Sequence, residues 1–216
     1  MNKAVYRLMV GFRHFREKFF QQSETEATIY QKLASSGQTP RTLLIGCSDS
    51  RVDPAILTGA SPGELFVVRN VANLVPPCEP SAVGFHGTSS AIEFAVVNLK
   101  VDNIIILGHR QCGGIRALVS KTAADSDTFV GQWMSIAEGA RQRVLKENAT
   151  ADEDTLWRLM EMESIKDSMR NLRTFPFVRQ AVEDRQLNIY GVYFDLEQGH
   201  LWELDETSKQ FRQLEI

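Results

Sequence analysis

Apolar positions near the start of the chain, Val5, Leu8, Met9, Phe12, Phe15 and Phe19, recur at helical spacing and predict one amphipathic helix. The helical pattern breaks near Ser23 and resumes from Glu24 to Ser35. Gly37 and Pro40 then stop it, the first by its φ freedom and the second by its missing N–H. After that the pattern changes. Thr42 to Cys47 is a short apolar run, too short for a helix and of the kind expected in a strand buried on both faces. Similar runs recur at Leu65 to Arg69, Asn103 to Gly108 and Leu187 to Phe194. Helical stretches lie between them, at Gly87 to Leu99, Gly114 to Ser120 and Gln132 to Leu172.

Strands alternating with helices predict a parallel sheet with right-handed crossovers. Gly199-His200 reads as a turn, and Leu201 to Leu204 as a short antiparallel strand at the edge. The expected fold is therefore a single α/β domain: about four parallel strands plus one antiparallel edge strand, flanked by helices. Residues 1–36 form an N-terminal helical arm, and 37–216 the body. No repeat or linker divides the chain further.

Composition narrows the function classes. A chain of 216 residues with 43% hydrophobic residues, 24% charged residues and a net charge of -3 is an ordinary globular protein with no basic face for nucleic acid. No apolar run approaches the roughly 20 residues of a membrane span. The basic N-terminus, with no acid before Glu17, shares one feature with transit peptides, but the apolar stripe favours a structural helix. Three cysteines make no disulfide framework, so a reducing compartment, the cytoplasm, is expected.

Candidate chemistry collects at two strand ends. Cys47 follows the first strand; His109 follows the Asn103–Gly108 strand, with Cys112 three residues later where a helix begins. Ligands of open parallel sheets gather outside the carboxyl ends of strands, where neighbouring connections diverge. Two thiolates and an imidazole suit tetrahedral zinc and leave one position open, as catalytic zinc requires. By spacing alone, a buried small Cys and a satisfied polar His explain these residues about as well. Gly113 and Gly114 are expected to let the backbone turn tightly into the helix. Asp49 and Arg51 stand two apart just after Cys47, able to pair in bidentate fashion beside a metal. Cys78, after Pro76-Pro77, is expected to be no ligand.

Together these residues resemble the β-class carbonic anhydrases. Cys-Ser-Asp-Ser-Arg-Val at 47–52 is similar to that family's first signature, and Gly-His-Arg-Gln-Cys-Gly-Gly at 108–114 to its second. Gly-Glu-Leu-Phe-Val-Val-Arg-Asn-Val-Ala-Asn at 63–73 matches the intervening strand and turn. The resemblance implies one zinc ion per chain held by Cys47, His109 and Cys112, with Asp49 and Arg51 as the dyad orienting a zinc-bound hydroxide that hydrates carbon dioxide to bicarbonate. It places Gln38 in the pocket across a dimer interface, as in the plant-like branch. Phe66, Val71 and Phe94 become its apolar wall, and Gly113 an amide donor toward substrate.

Another branch carries Trp three residues before the first Cys and favours Asp on the metal. Leu44 stands there, which implies the open form, with water as fourth ligand and Asp49 held by Arg51. His86 is a candidate proton shuttle, against the commoner reading of an ordinary loop histidine. A homodimer or a pair of dimers is implied, with no nucleic acid or membrane partner. Two rivals keep the zinc: hydrolysis of carbonyl sulfide or carbon disulfide, and a non-catalytic zinc scaffold. The intact Asp49–Arg51 pair argues against the second.

Overall fold

The computed structural model of the chain describes residues 2–20, 27–80, 84–120, 127–185 and 187–215. The break expected near Ser23 and the start expected at Glu24 lie outside them. Helix α1 (Lys3–Phe20) follows the apolar stripe, and α2 (Ile29–Ser36) begins with a reciprocal cap between Thr28 and Gln31. Strands β1 (Thr42–Cys47), β2 (Leu65–Asn70), β3 (Asn103–His109) and β4 (Asn188–Asp195) occupy the four apolar runs. Between β1 and β2, the short helix α3 (Pro54–Thr58) starts with Asp53 as N-cap and Pro54 in its first turn.

The sheet runs β2-β1-β3-β4-β5-β6. Its first four strands are parallel, while β5 (His200–Asp205) and β6 (Gln210–Gln213) continue it antiparallel. The parallel core matches the sequence reading, but the edge holds two antiparallel strands rather than one. Strand β6 is Gln-Phe-Arg-Gln, and a single apolar residue in four carries no strand signal. The chain crosses from β1 to β2 on one side, then to β3 on the other side of β1. The connections therefore diverge between the carboxyl ends of β1 and β3.

The helical stretch at Gly87 to Leu99 is α4 (Gly87–Glu93), continued by a wider π turn over Phe94–Asn98. Helix α5 (Gly113–Val119) follows β3. The long stretch ending at Leu172 divides into α6 (Phe129–Met134), α7 (Glu138–Glu147) and α8 (Glu153–Leu172). The last break falls where Asp152 caps α8 by accepting from the Thr155 amide. Helix α9 (Pro176–Arg185) precedes β4.

Leu43 and Ile45 of β1 and Ile104 and Ile106 of β3 pack with Ile92 and Ala95, and with Ile165 and Met169 of α8, into the main core. Helix α8 comes unusually close to the sheet at two glycines. A Cβ on Gly108 would lie 2.6 Å from Ile165 Cδ1 and 2.8 Å from its Cγ1. A Cβ on Gly191 would lie 2.6 Å from Met169 Sδ and 2.9 Å from Ile165 Cγ2. The absence of side chains at 108 and 191 brings α8, and the polar residues on it, down onto β3 and β4.

Candidate metal centre

Cys47 is the last residue of β1 and His109 the last of β3, so the ladder between these strands brings the two together. Cys112 lies just beyond the sheet as the residue capping α5, its side chain making no cap hydrogen bond. The ligand atoms of Cys47, His109 and Cys112 all lie within 4.8 Å of one another, and all three residues are buried. The two sulfurs are 3.9 Å apart. Two sulfurs on one tetrahedral zinc, each about 2.3 Å from it, sit roughly 3.8 Å apart. His109 Nδ1 meets the Arg110 carbonyl at 2.9 Å, which places its proton there. Nε2 is buried with no hydrogen-bond partner, as a nitrogen intended for a metal would be. Donor set, spacing and orphaned nitrogen all fit zinc.

The turn into α5 is made differently from the sequence expectation. Neither Gly113 nor Gly114 is left-handed; Gln111 is, at φ 59°. Gly114 is needed for space instead, because a Cβ there would lie 2.9 Å from Val71 Cγ1 and 3.2 Å from Ala72 Cβ. Ala72 and Asn73 are themselves left-handed, at φ 64° and 48°. The Asn70 side chain closes this turn, accepting from the Leu74 amide and donating to its carbonyl, both at 2.9 Å.

Arg51 grips Asp49 in bidentate fashion: Nε donates to Oδ1 at 2.9 Å and Nη2 to Oδ2 at 2.7 Å. The Arg51 amide adds a third bond to Oδ1 at 3.0 Å. These bonds hold the Asp49 carboxyl well below the usual carboxylate range. In the thiol pair, the bond to Cys112 and the neighbouring His109 lower Cys47, while Cys112 is raised by the same bond and by burial. His109 is raised: burial opposes its charge, but the adjacent Cys47 sulfur and its charge outweigh it.

Several residues brace this group in roles that the sequence did not suggest. Arg69 ties the loop after β1 together, donating to the Cys47 carbonyl at 3.0 Å, the Asp49 carbonyl at 2.7 Å and Asp53 Oδ2 at 3.1 Å. Glu161, only 2% exposed, accepts from the Cys112 amide at 2.9 Å and from the Tyr193 hydroxyl at 2.8 Å. Burial pushes its carboxyl up to about 7. Trp157 Nε1 donates to the Cys112 carbonyl at 3.0 Å. Arg110 is buried between Asp154 at 2.6 Å and Glu161 at 3.9 Å, its guanidinium over the Trp157 ring. Helix α8 is almost uniformly mixed around its circumference, so no pattern singles out one buried acid in it.

The pocket residues divide into two groups. Val71, 39% exposed, lies against Gly114, two residues past Cys112, and Gly113 begins α5 with open space beside it. Phe66 and Phe94 form a separate ring pair, centroids 5.8 Å apart. Phe66 pairs in register with Leu43, four residues before Cys47, or about 13 Å along the strand. Gln38 is exposed and precedes β1, at the opposite end from Cys47. One chain does not bring Gln38, Phe66 and Phe94 to its own metal group. His86 faces Glu79 at 3.7 Å and lines a cleft of about 1010 Å³ together with Val71, Phe129 and Trp133. Leu44 is buried beneath the β1 end.

The sequence profile of the carbonic anhydrase family matches residues 42–201, which include every residue of the metal group and its dyad. The chain belongs to the β-class carbonic anhydrases. Beta carbonic anhydrase 3 of Arabidopsis thaliana is 36% identical over 207 residues, spanning 94% of this chain and 78% of that protein. The solved β-carbonic anhydrase CcaA superposes over 100% of this chain and 94% of its own, with TM-score 0.89 and 30% identity. A tetrameric β-carbonic anhydrase of Sordaria macrospora aligns at TM-score 0.77 and 31% identity, covering 94% of this chain and 98% of that one. This carbonic anhydrase is a zinc enzyme that interconverts carbon dioxide and bicarbonate, and Cys47, His109 and Cys112 stand where its metal site is required.

Proposed function

We propose that this carbonic anhydrase works through a site shared between two copies of the chain, with Cys47, His109 and Cys112 as zinc ligands. When bound, zinc lowers the pKa of a coordinated water from 15.7 to about 7 and so supplies a nucleophile at neutral pH. Asp49 would accept a hydrogen bond from that water. Its carboxylate is occupied by Arg51 from behind, which keeps it ionised and off the metal. Val71 offers an apolar wall to an apolar substrate, and the Gly113 amide at the start of α5 a donor to a developing oxyanion. Gln38, Phe66 and Phe94 complete the pocket of the second copy, which is the role left to them by their distance from their own Cys47. The observation that carries the reading is the His109 ring, whose Nδ1 is engaged while its buried Nε2 has no partner beside two sulfurs.

The same reading makes residues 1–36 an arm for assembly. Val5, Leu8, Met9 and Phe12 are 44%, 69%, 55% and 60% exposed, and α1 buries none of its residues within the chain. An unpartnered apolar face of this kind fits a homodimer or a pair of dimers. Cys47, Cys78 and Cys112 are free thiols, which fits the cytoplasm. Among the described residues no helix is long and apolar enough to cross a membrane.

Metal analysis and stopped-flow carbon dioxide hydration on purified protein test the reading. About one zinc per chain with rapid hydration is expected, and Gln38→Ala should lower kcat/KM without releasing metal. Zinc-loaded protein without hydration activity would overturn it.

A further inference from the structure

Of the three ligands, Cys47 and His109 end strands and are fixed by the ladders of the sheet. Cys112 has no such support. It lies three residues past His109, beyond the left-handed Gln111, and its side chain does not cap α5. What fixes it is α8. Trp157 and Glu161 are four residues apart and so lie on one face of that helix. Trp157 Nε1 donates to the Cys112 carbonyl at 3.0 Å, and Glu161 Oε1 accepts from the Cys112 amide at 2.9 Å. Both peptide groups of one ligand are thus held by two side chains of one helix.

Each jaw is braced in turn. The second oxygen of Glu161 accepts from Tyr193 Oη of β4 at 2.8 Å, which fixes the rotation of the carboxylate. The guanidinium groups of Arg110 and Arg116 both stand over the Trp157 ring, at 5.4 and 5.1 Å. Burying a carboxylate is costly, and it persists where its oxygens have donors and a cation stands near, as Arg110 does at 3.9 Å. Here both donors lead to the metal group or to the sheet beneath it.

We propose that Trp157 and Glu161 are positioning residues for Cys112, gripping its two peptide groups and so setting the affinity of the site for zinc. This rests on Cys112 being a zinc ligand. Orientation of a ligand by its outer partners ordinarily accounts for 10–100-fold in metal affinity, so a loss of that order is expected when the grip is removed.

The test is zinc competition against a chromophoric chelator, with the full chain as wild type, Trp157→Phe, Glu161→Ala and Glu161→Gln. Trp157→Phe and Glu161→Ala should each bind zinc about 10–100-fold more weakly. Glu161→Gln should stay within about threefold of wild type, because its amide oxygen still accepts from Cys112 and its amide nitrogen can donate to the Tyr193 oxygen. Cobalt substitution gives a second readout: the thiolate-to-metal band should move in the Phe and Ala variants and not in the Gln variant. A merely structural role would lower melting temperature and leave affinity and band unchanged.

Trp157→Phe keeps an aromatic ring and loses only the donor, so it decides the matter if Glu161→Ala does not fold. Zinc affinity within about threefold of wild type in folded Trp157→Phe would overturn the proposal, as would Glu161→Gln losing as much as Glu161→Ala. Wild-type chain that binds no zinc would instead refute the metal reading itself.

Discussion

Replacing Gly108 by Ala tests how tightly α8 is pressed onto the metal-bearing strand. The new Cβ would lie 2.6 Å from Ile165 Cδ1 and 2.8 Å from Cγ1. Carbon atoms pack at about 3.5–4.0 Å, so close to 1 Å of separation must be found. Ile165 is fully buried in the core, where close packing resists a change of rotamer. The isoleucine, the helix or the strand must therefore shift. Overpacking of this kind costs about 1–3 kcal/mol. In a chain of this size that corresponds to a fall in melting temperature of about 2–12 °C, read by calorimetry.

The cause can be isolated by adding Ile165→Ala, which alone costs about 2–5 kcal/mol as a cavity. In the double variant the Cβ at 108 enters space that the isoleucine has left, so the combined loss should be smaller than the sum by about 0.5–3 kcal/mol. A Gly108→Ala protein melting within about 1 °C of wild type would refute the argument from contact. So would strictly additive losses, which would mean that the two residues do not compete for the same volume.

Other expectations concern the site. Cys47→Ser and His109→Ala should each release zinc and abolish carbon dioxide hydration; metal retained in both variants would contradict the ligand assignment. Asp49→Ala should retain zinc and lose most turnover, measured by stopped flow. Asp49 also makes a pH prediction, because its folded pKa lies below its unfolded value of about 3.9. The Asp49–Arg51 pair contributes its full stabilisation above that unfolded value and loses it as pH falls through the folded pKa. The melting-temperature gap between wild type and Arg51→Ala should thus be constant near neutrality and close only in strong acid. Cys78→Ser should leave zinc content unchanged.

The parallel core was legible because a strand buried on both faces must be apolar throughout, as Leu43–Ile45 and Ile104–Leu107 are. The metal group was legible because chemistry at a diverging pair of strands collects at their carboxyl ends, where Cys47 and His109 lie. What supports it was not. Glu161 is an acid in a helix whose other acids face solvent or ion pairs, and its burial is decided by Tyr193 and Cys112, which are distant in sequence. Gln111 takes the left-handed turn that the sequence assigns to Gly113 and Gly114. Strand β6 is recruited by the open edge of β5 rather than by its own composition. Gln38, Phe66 and Phe94 carry a family pattern, but nothing in a linear sequence says to which copy's pocket they belong.

The placement of the ligands on non-consecutive stretches of chain also has a kinetic meaning. His109 and Cys112 are neighbours, but Cys47 joins them only when β1 has paired with β3, while the chain between them forms β2 on the other side of β1. Such non-local pairing is among the slower steps of folding. A complete three-ligand site therefore exists only once the central sheet does. Zinc then favours the finished state by mass action, because the unfolded chain offers no preformed site of equal affinity. In refolding, formation of the cobalt–thiolate band should trail the far-ultraviolet signal of the helices, marking the moment at which the central strands close.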